Sequence, residues 1–219
     1  MFLEEFMLDA ADVFQDRAGA RAGEGAHMRP GLLLGPGPSV LLASDLFGAF
    51  CARRREVAQG ASLNLLAQGV GARAYGERLD QFDLDVFLYV VLAAVRGANP
   101  VIRPLRDVLR AVGQKPVSGL AARLEASLRR LASTRLEVSG ADQCCLVQLA
   151  ESVLVDVRTG MMRVRPGQEA VEAFAQVTGL ERLVTLRRDL GRRQLTKWIA
   201  GLLSVLTADV CLLDPARLR

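Results

Sequence analysis

Between Val86 and Val95 the chain runs without a single charged residue, inside a segment, Leu84 to Arg96, whose helical wheel is apolar on nearly every side. Only the middle of a core satisfies such a helix. The run is too short to cross a bilayer, which needs about 20 apolar residues. Asp80 or Asp83 stands where an N-cap is wanted, because a short carboxylate can accept from the free amides of the first turn. Whatever else the chain forms must pack around this helix.

The elements after this helix come in a readable order. Beyond Gly97 and Pro100 a short extended piece leads to Pro104, which suits the first turn of a second helix over Leu105–Val112, with Gly113 as its stop. Ser118 can cap a third helix, Gly119–Ser133. Four apolar-rich stretches then read as antiparallel strands, at 134–139, 143–149, 152–157 and 161–166, separated by SGAD and RTG turns. Three helices followed by a hairpin is the winged-helix order. The fold class expected is α+β and helix-rich.

The flanks organise differently. Residues 1–16 place Phe2, Leu3, Phe6, Met7, Ala10, Val13 and Phe14 at helical spacing among Glu4, Glu5, Asp9, Asp12 and Asp16, an acidic amphipathic helix. Residues 17–39 turn to Gly, Ala and Pro and read as a flexible linker. Val40–Val57 resumes helical periodicity, ending in Arg53, Arg54 and Arg55, and leads into a winged-helix DNA-binding domain over 40–165. Residues 166–219 read as a C-terminal helical segment: Glu169–Gln176, Arg182–Leu186, and a long helix from Gln194 to Thr207 containing Trp198.

Charge concentrates on the third helix and its approach. Arg103 to Arg135 carries eight basic residues against Asp107 and Glu125, a net +6 in a chain whose total is +4. All but Lys115 and Lys197 of the basic residues are Arg, which fits phosphate and guanine recognition and equally fits a GC-rich genome. Wound at 100° per residue, Leu120, Leu124, Leu128 and Leu131 fall on one stripe that must face the core. The other side collects Gly119, Ala122, Arg123, Ala126, Arg129, Arg130 and Ser133. Small residues flanked by guanidinium groups are what a helix needs to enter a major groove. Thr134 and Arg135 open the next strand.

The runs 75–96 (YGERLDQFDLDVFLYVVLAAVR), 118–138 (SGLAARLEASLRRLASTRLEV) and 186–206 (LRRDLGRRQLTKWIAGLLSVL) resemble the TrfA-type plasmid replication initiators, and 43–50 (ASDLFGAF) is similar to a segment ahead of that family's first winged helix. The matches keep the family's order over roughly residues 40 to 215. The resemblance implies a protein that binds repeated sites (iterons) in origin duplex DNA and draws in the host replication machinery. Its candidate partners are a host helicase, initiator or sliding clamp and a second copy of the chain. Carried over by position, Ser118, Arg123, Arg129 and Arg130 lie on the recognition helix, with Lys115 in the turn before it. Together with Ala122, Ala126 and Arg135 these are the expected DNA-binding residues. The helix containing Trp198 would open a second winged helix, which the chain leaves incomplete. A truncated initiator, a fragment and a derived regulator all fit that departure. Ala43–Phe47 is also similar to the pentapeptide that docks on the sliding clamp, with Ala43 where that motif has Gln.

Other chemistry finds little support. Cys51, Cys144, Cys145 and Cys211 include no C-x-x-C pair and His27 stands alone, so no metal site is expected. Gly113-Gln114-Lys115 lacks the rest of a phosphate loop. Asp80, Asp83 and Asp85 read as helix caps and exposed acids rather than a carboxylate pair. The expectation is a protein without catalysis or cofactor, cytoplasmic, with no signal peptide and no membrane span. A winged-helix transcriptional regulator and a protein-interaction module without DNA binding are the competing readings.

Overall fold

The computed structural model describes residues 41–42, 44–50, 55–64, 71–117, 119–139, 144–175, 177 and 179–206. The expected N-terminal helix (1–16), the linker (17–39) and Ser118 lie outside the described residues. Among the described ones the elements run β1 (Phe47–Gly48), β2 (Val57–Ser62), β3 (Gly71–Glu77), β4 (Leu79–Asp80), α1 (Gln81–Val95), β5 (Val101–Pro104), α2 (Leu105–Ala111) and α3 (Leu120–Ser133). They continue with β6 (Arg135–Ser139), β7 (Cys144–Gln148), β8 (Ala150–Asp156), β9 (Met161–Pro166), α4 (Gln168–Ala175), α5 (Leu180–Asp189) and α6 (Gln194–Leu206).

The apolar helix is the axis of the fold. Phe82, Leu84, Val86, Phe87, Leu88, Val90, Val91 and Ala94 of α1 are all buried. Both candidate caps act at once: Asp80 accepts from the amides of Phe82 and Asp83, and Asp83 accepts from the amide of Asp80, a reciprocal capping box. Phe87 stacks on Phe47 at 6.0 Å and meets Phe174 edge-on at 5.7 Å, joining β1 to α4 through α1. One core cluster extends from Leu41 to Leu183, so α4 and α5 bury their apolar faces on the same helix as the elements before them.

Among the described residues nine strands form three sheets: a parallel pair β1-β4, an antiparallel sheet β2-β3-β6-β7, and an antiparallel sheet β5-β9-β8. The four strands expected after α3 are all present, but they divide. The hairpin β6–β7 extends the sheet of β3, while β8–β9 closes onto β5, the strand between α1 and α2. No expectation covered β2 and most of β3. Their sequences, VAQGAS and GARAYGE, contain few large apolar residues to signal alternation.

The helix expected over Val40–Val57 does not run through. Leu41 and Leu42 are helical, but Ser44 donates its hydroxyl to the Leu41 carbonyl and accepts from the Leu46 amide, a local turn that competes with helix continuation. Phe47 then enters β1 and the chain reaches strand β2 at Val57. Leu46 and Phe47 are 5% and 1% exposed. Docking of residues 43–47 on a sliding clamp is therefore corrected: the two side chains such a motif must present are core residues.

Candidate nucleic-acid interface

α3 starts from Gly119, whose φ of +86° suits glycine, and buries its leucine stripe as expected. Leu124 and Leu128 are fully buried and Leu131 nearly so, with Leu120 packed at the core's edge. The opposite side is slim. Ala122 and Ser133 are exposed and Ala126 is half-buried. Arg129 projects from this side with 75% of its side chain exposed and pairs with Glu125 one turn back.

Arg123 and Arg130 behave differently, because their flank of α3 faces the N-terminus of α1. Arg130 grips Asp83 with two bonds, Nη2 to Oδ1 at 2.7 Å and Nε to Oδ2 at 3.2 Å, and its side chain is only 11% exposed. Arg55 adds a fork of its own, 2.5 Å to Asp80 and 2.9 Å to Asp83. Arg123 lies 4.3 Å from the centre of the Phe82 ring and 3.9 Å from Asp80. Three guanidinium groups thus converge on the two carboxylates that cap α1, and they set the rotation of α3 about its own axis. Arg130→Ala leaves buried Asp83 with Arg55 alone and should cost about 3 kcal/mol in denaturant unfolding. Arg129→Ala should stay within about 0.5 kcal/mol, since its pair is exposed.

The approach to α3 carries more charge. Lys115 is exposed in the turn between α2 and α3, and Arg106 and Arg110 on α2 expose 71% and 63% of their side chains, with Asp107 between them. Gly113 stops α2 at φ +75°, and a β-carbon there would come within 2.6 Å of the Arg188 carbonyl, so this turn is pressed onto α5. The β8–β9 turn, residues 157–160, projects with Val157 76% exposed, shaped by Asp156, which accepts from the amides of Arg158 and Thr159 and from the Thr159 hydroxyl. Those bonds, the hydroxyl's first, hold the Asp156 carboxyl below its ordinary pKa.

No family model and no curated protein matches this sequence. Solved structures do. Two crystal structures of domains 2 and 3 of RctB superpose with TM-scores of 0.55 and 0.51 at 10% and 9% identity. The first covers 78% of this chain and 69% of its own, the second 82% and 79%. The fold is similar to that of RctB domains 2 and 3.

Against that fold, the expected site residues fall into groups. Ala122, Ala126 and Arg129 share the slim face of α3, and Lys115 stands in the turn leading to it. Arg123 and Arg130 are drawn to the α1 cap. Arg135 opens β6, where its cross-strand neighbours are Tyr75 and Gln148 on the exposed side of the four-stranded sheet. Arg106, Arg110 and Arg158 were not singled out by sequence. The first two were legible as part of the +6 stretch, but Arg158 gave no signal without knowing which hairpin pairs with β5.

A second charged cluster lies below the first. Arg187 and Lys197, each 1% exposed, share Asp85: Arg187 Nε lies 2.8 Å from Oδ1 and Lys197 Nζ 2.5 Å from Oδ2. Arg187 also donates to the Gln81 carbonyl and side chain and to the Lys197 carbonyl, tying α5 and α6 to α1. Asp80, Asp83 and Asp85 are therefore all engaged by cations of the chain. Among the described residues no helix is long and apolar enough to cross a membrane.

Proposed function

We propose that this protein is a TrfA-like replication initiator, which binds repeated sites in origin duplex DNA through a winged helix and recruits host replication proteins without catalysing a reaction. In this reading α1, α2 and α3 are the three helices, β5, β8 and β9 the associated sheet, and the β8–β9 turn the wing. α3 enters the major groove by Ala122 and Ala126, with Arg129 reaching base edges or phosphate. Arg106, Arg110, Lys115 and Arg158 grip the flanking backbone.

The observation that carries the reading is the slim, exposed side of α3, edged by Arg129, on a fold similar to that of RctB domains 2 and 3. Arg123 and Arg130 act here as positioning residues that hold the helix at its angle. The test is duplex binding by the purified full chain to DNA carrying its origin repeats. Arg129→Ala should weaken binding by about 1–3 kcal/mol, or roughly 5- to 150-fold, with stability unchanged. Ala122→Glu should abolish it by placing a carboxylate against the groove. Unaltered affinity in both variants would remove α3 from the interface.

A further inference from the structure

Among the described residues, the outer face of the sheet β5-β9-β8 carries exposed side chains. Its inner face carries Val101, Met162 and Val164, all buried, with α1, α2 and α3 packed against the sheet. The opposite side is set by alternation and register: Ile102 of β5 and Leu154 of β8 flank Arg163 on the central strand, and Ser152 lies beside Arg165. Ile102 is 37% and Leu154 49% exposed, while Arg163 and Arg165 are half-buried. The result is an apolar strip with two arginines along its middle.

We propose that this face is the docking site for residues 1–16 of the same chain. That segment alternates Phe2, Leu3, Phe6 and Met7 with Glu4, Glu5, Asp9, Asp12 and Asp16 and contains no base, so it complements the strip in both apolarity and charge. Residues 17–40 span up to about 80 Å when extended, enough to reach this face from Leu41. The competing surface is the exposed side of α6, where Leu195 and Ile199 are 61% and 37% exposed and Arg192 and Arg193 precede the helix. The inference does not depend on the initiator reading.

The test uses the full chain with a photo-cross-linking residue in place of Ser152, followed by peptide mass mapping. Adducts should fall within residues 1–16. They should drop about tenfold in Ile102→Glu/Leu154→Glu, whose added carboxylates repel the acidic segment, and return when Glu4→Lys and Glu5→Lys are added. Both strip residues are exposed, and an unchanged thermal transition will show that the variants fold. Adducts elsewhere in the chain, no adducts, adducts insensitive to the charge swap, or capture of residues 1–16 by a probe at Leu195 instead would each overturn the proposal. So would adducts joining isotopically labelled to unlabelled copies, which would place the segment on a neighbour.

Discussion

Asp85→Asn should be strongly destabilising. Asp85 is shared by Arg187 and Lys197, all three are buried, and the asparagine side chain keeps the shape while deleting the charge. Breaking a buried pair by removing one partner costs about 3–5 kcal/mol, and here two cations lose the same counter-ion. For a chain of this size that is a fall of roughly 6–20 °C in melting temperature. Lys197→Met should be far milder, because Arg187 and Asp85 remain a matched pair. Burial, opposed by Asp85, lowers the Lys197 pKa. The unfolded chain therefore binds the proton more tightly than the folded one, and this group's contribution to stability increases as pH rises from the lowered value toward about 10.4. Urea unfolding of wild type and Lys197→Met across that range checks the sign: the rise should be present in the first and missing in the second. Equal stability of Asp85→Asn and wild type would mean that the cluster is solvated rather than buried.

Reversing Arg106, Arg110, Lys115 and Arg129 together to Glu should nearly abolish duplex binding. Each is exposed, and among the described residues the acids paired with the arginines, Asp107 and Glu125, make surface contacts worth little to stability. If each cation meets a phosphate, the loss of four contacts makes the logarithmic dependence of affinity on salt shallower by about 3–4. Affinity at moderate salt should fall about a thousandfold. Fluorescence anisotropy with labelled duplex between about 50 and 200 mM salt reads both quantities. A wild-type affinity that ignores salt, or a quadruple variant with the wild-type slope, would point to the protein-interaction reading instead. The variant should keep its melting temperature within a few degrees, which separates loss of contact from loss of fold.

The candidate interface was half legible in advance, and the division has a physical cause. A wheel gives the angular positions of Arg123, Arg129 and Arg130 around α3, so it separates them from the leucine stripe. It cannot say which flank meets another element. Arg129 lies on the solvent flank, whereas Arg123 and Arg130 face the α1 cap, 47 residues distant in the case of Arg130 and Asp83. Asp80 and Asp83 were readable as caps because capping is local. Their second task, holding arginines from β2's approach and from α3, was not.

By itself the sequence determined what depends on neighbours within a few turns. The apolar run made α1 a central helix, the Asp80–Asp83 spacing closed its N-terminus, Gly113 ended α2, and the leucine spacing set the inward side of α3. Tertiary structure decided which strands pair and which charges are buried. β6–β7 and β8–β9 have similar sequences of short apolar stretches, yet one joins β3 and the other β5, a choice made by whole-sheet packing rather than by either hairpin. Arg187 and Lys197 look like surface residues until Asp85, 102 and 112 positions away, is brought beside them. A charge enters a core only when a partner offsets its desolvation, and a partner so distant in the chain exists only once the fold has formed.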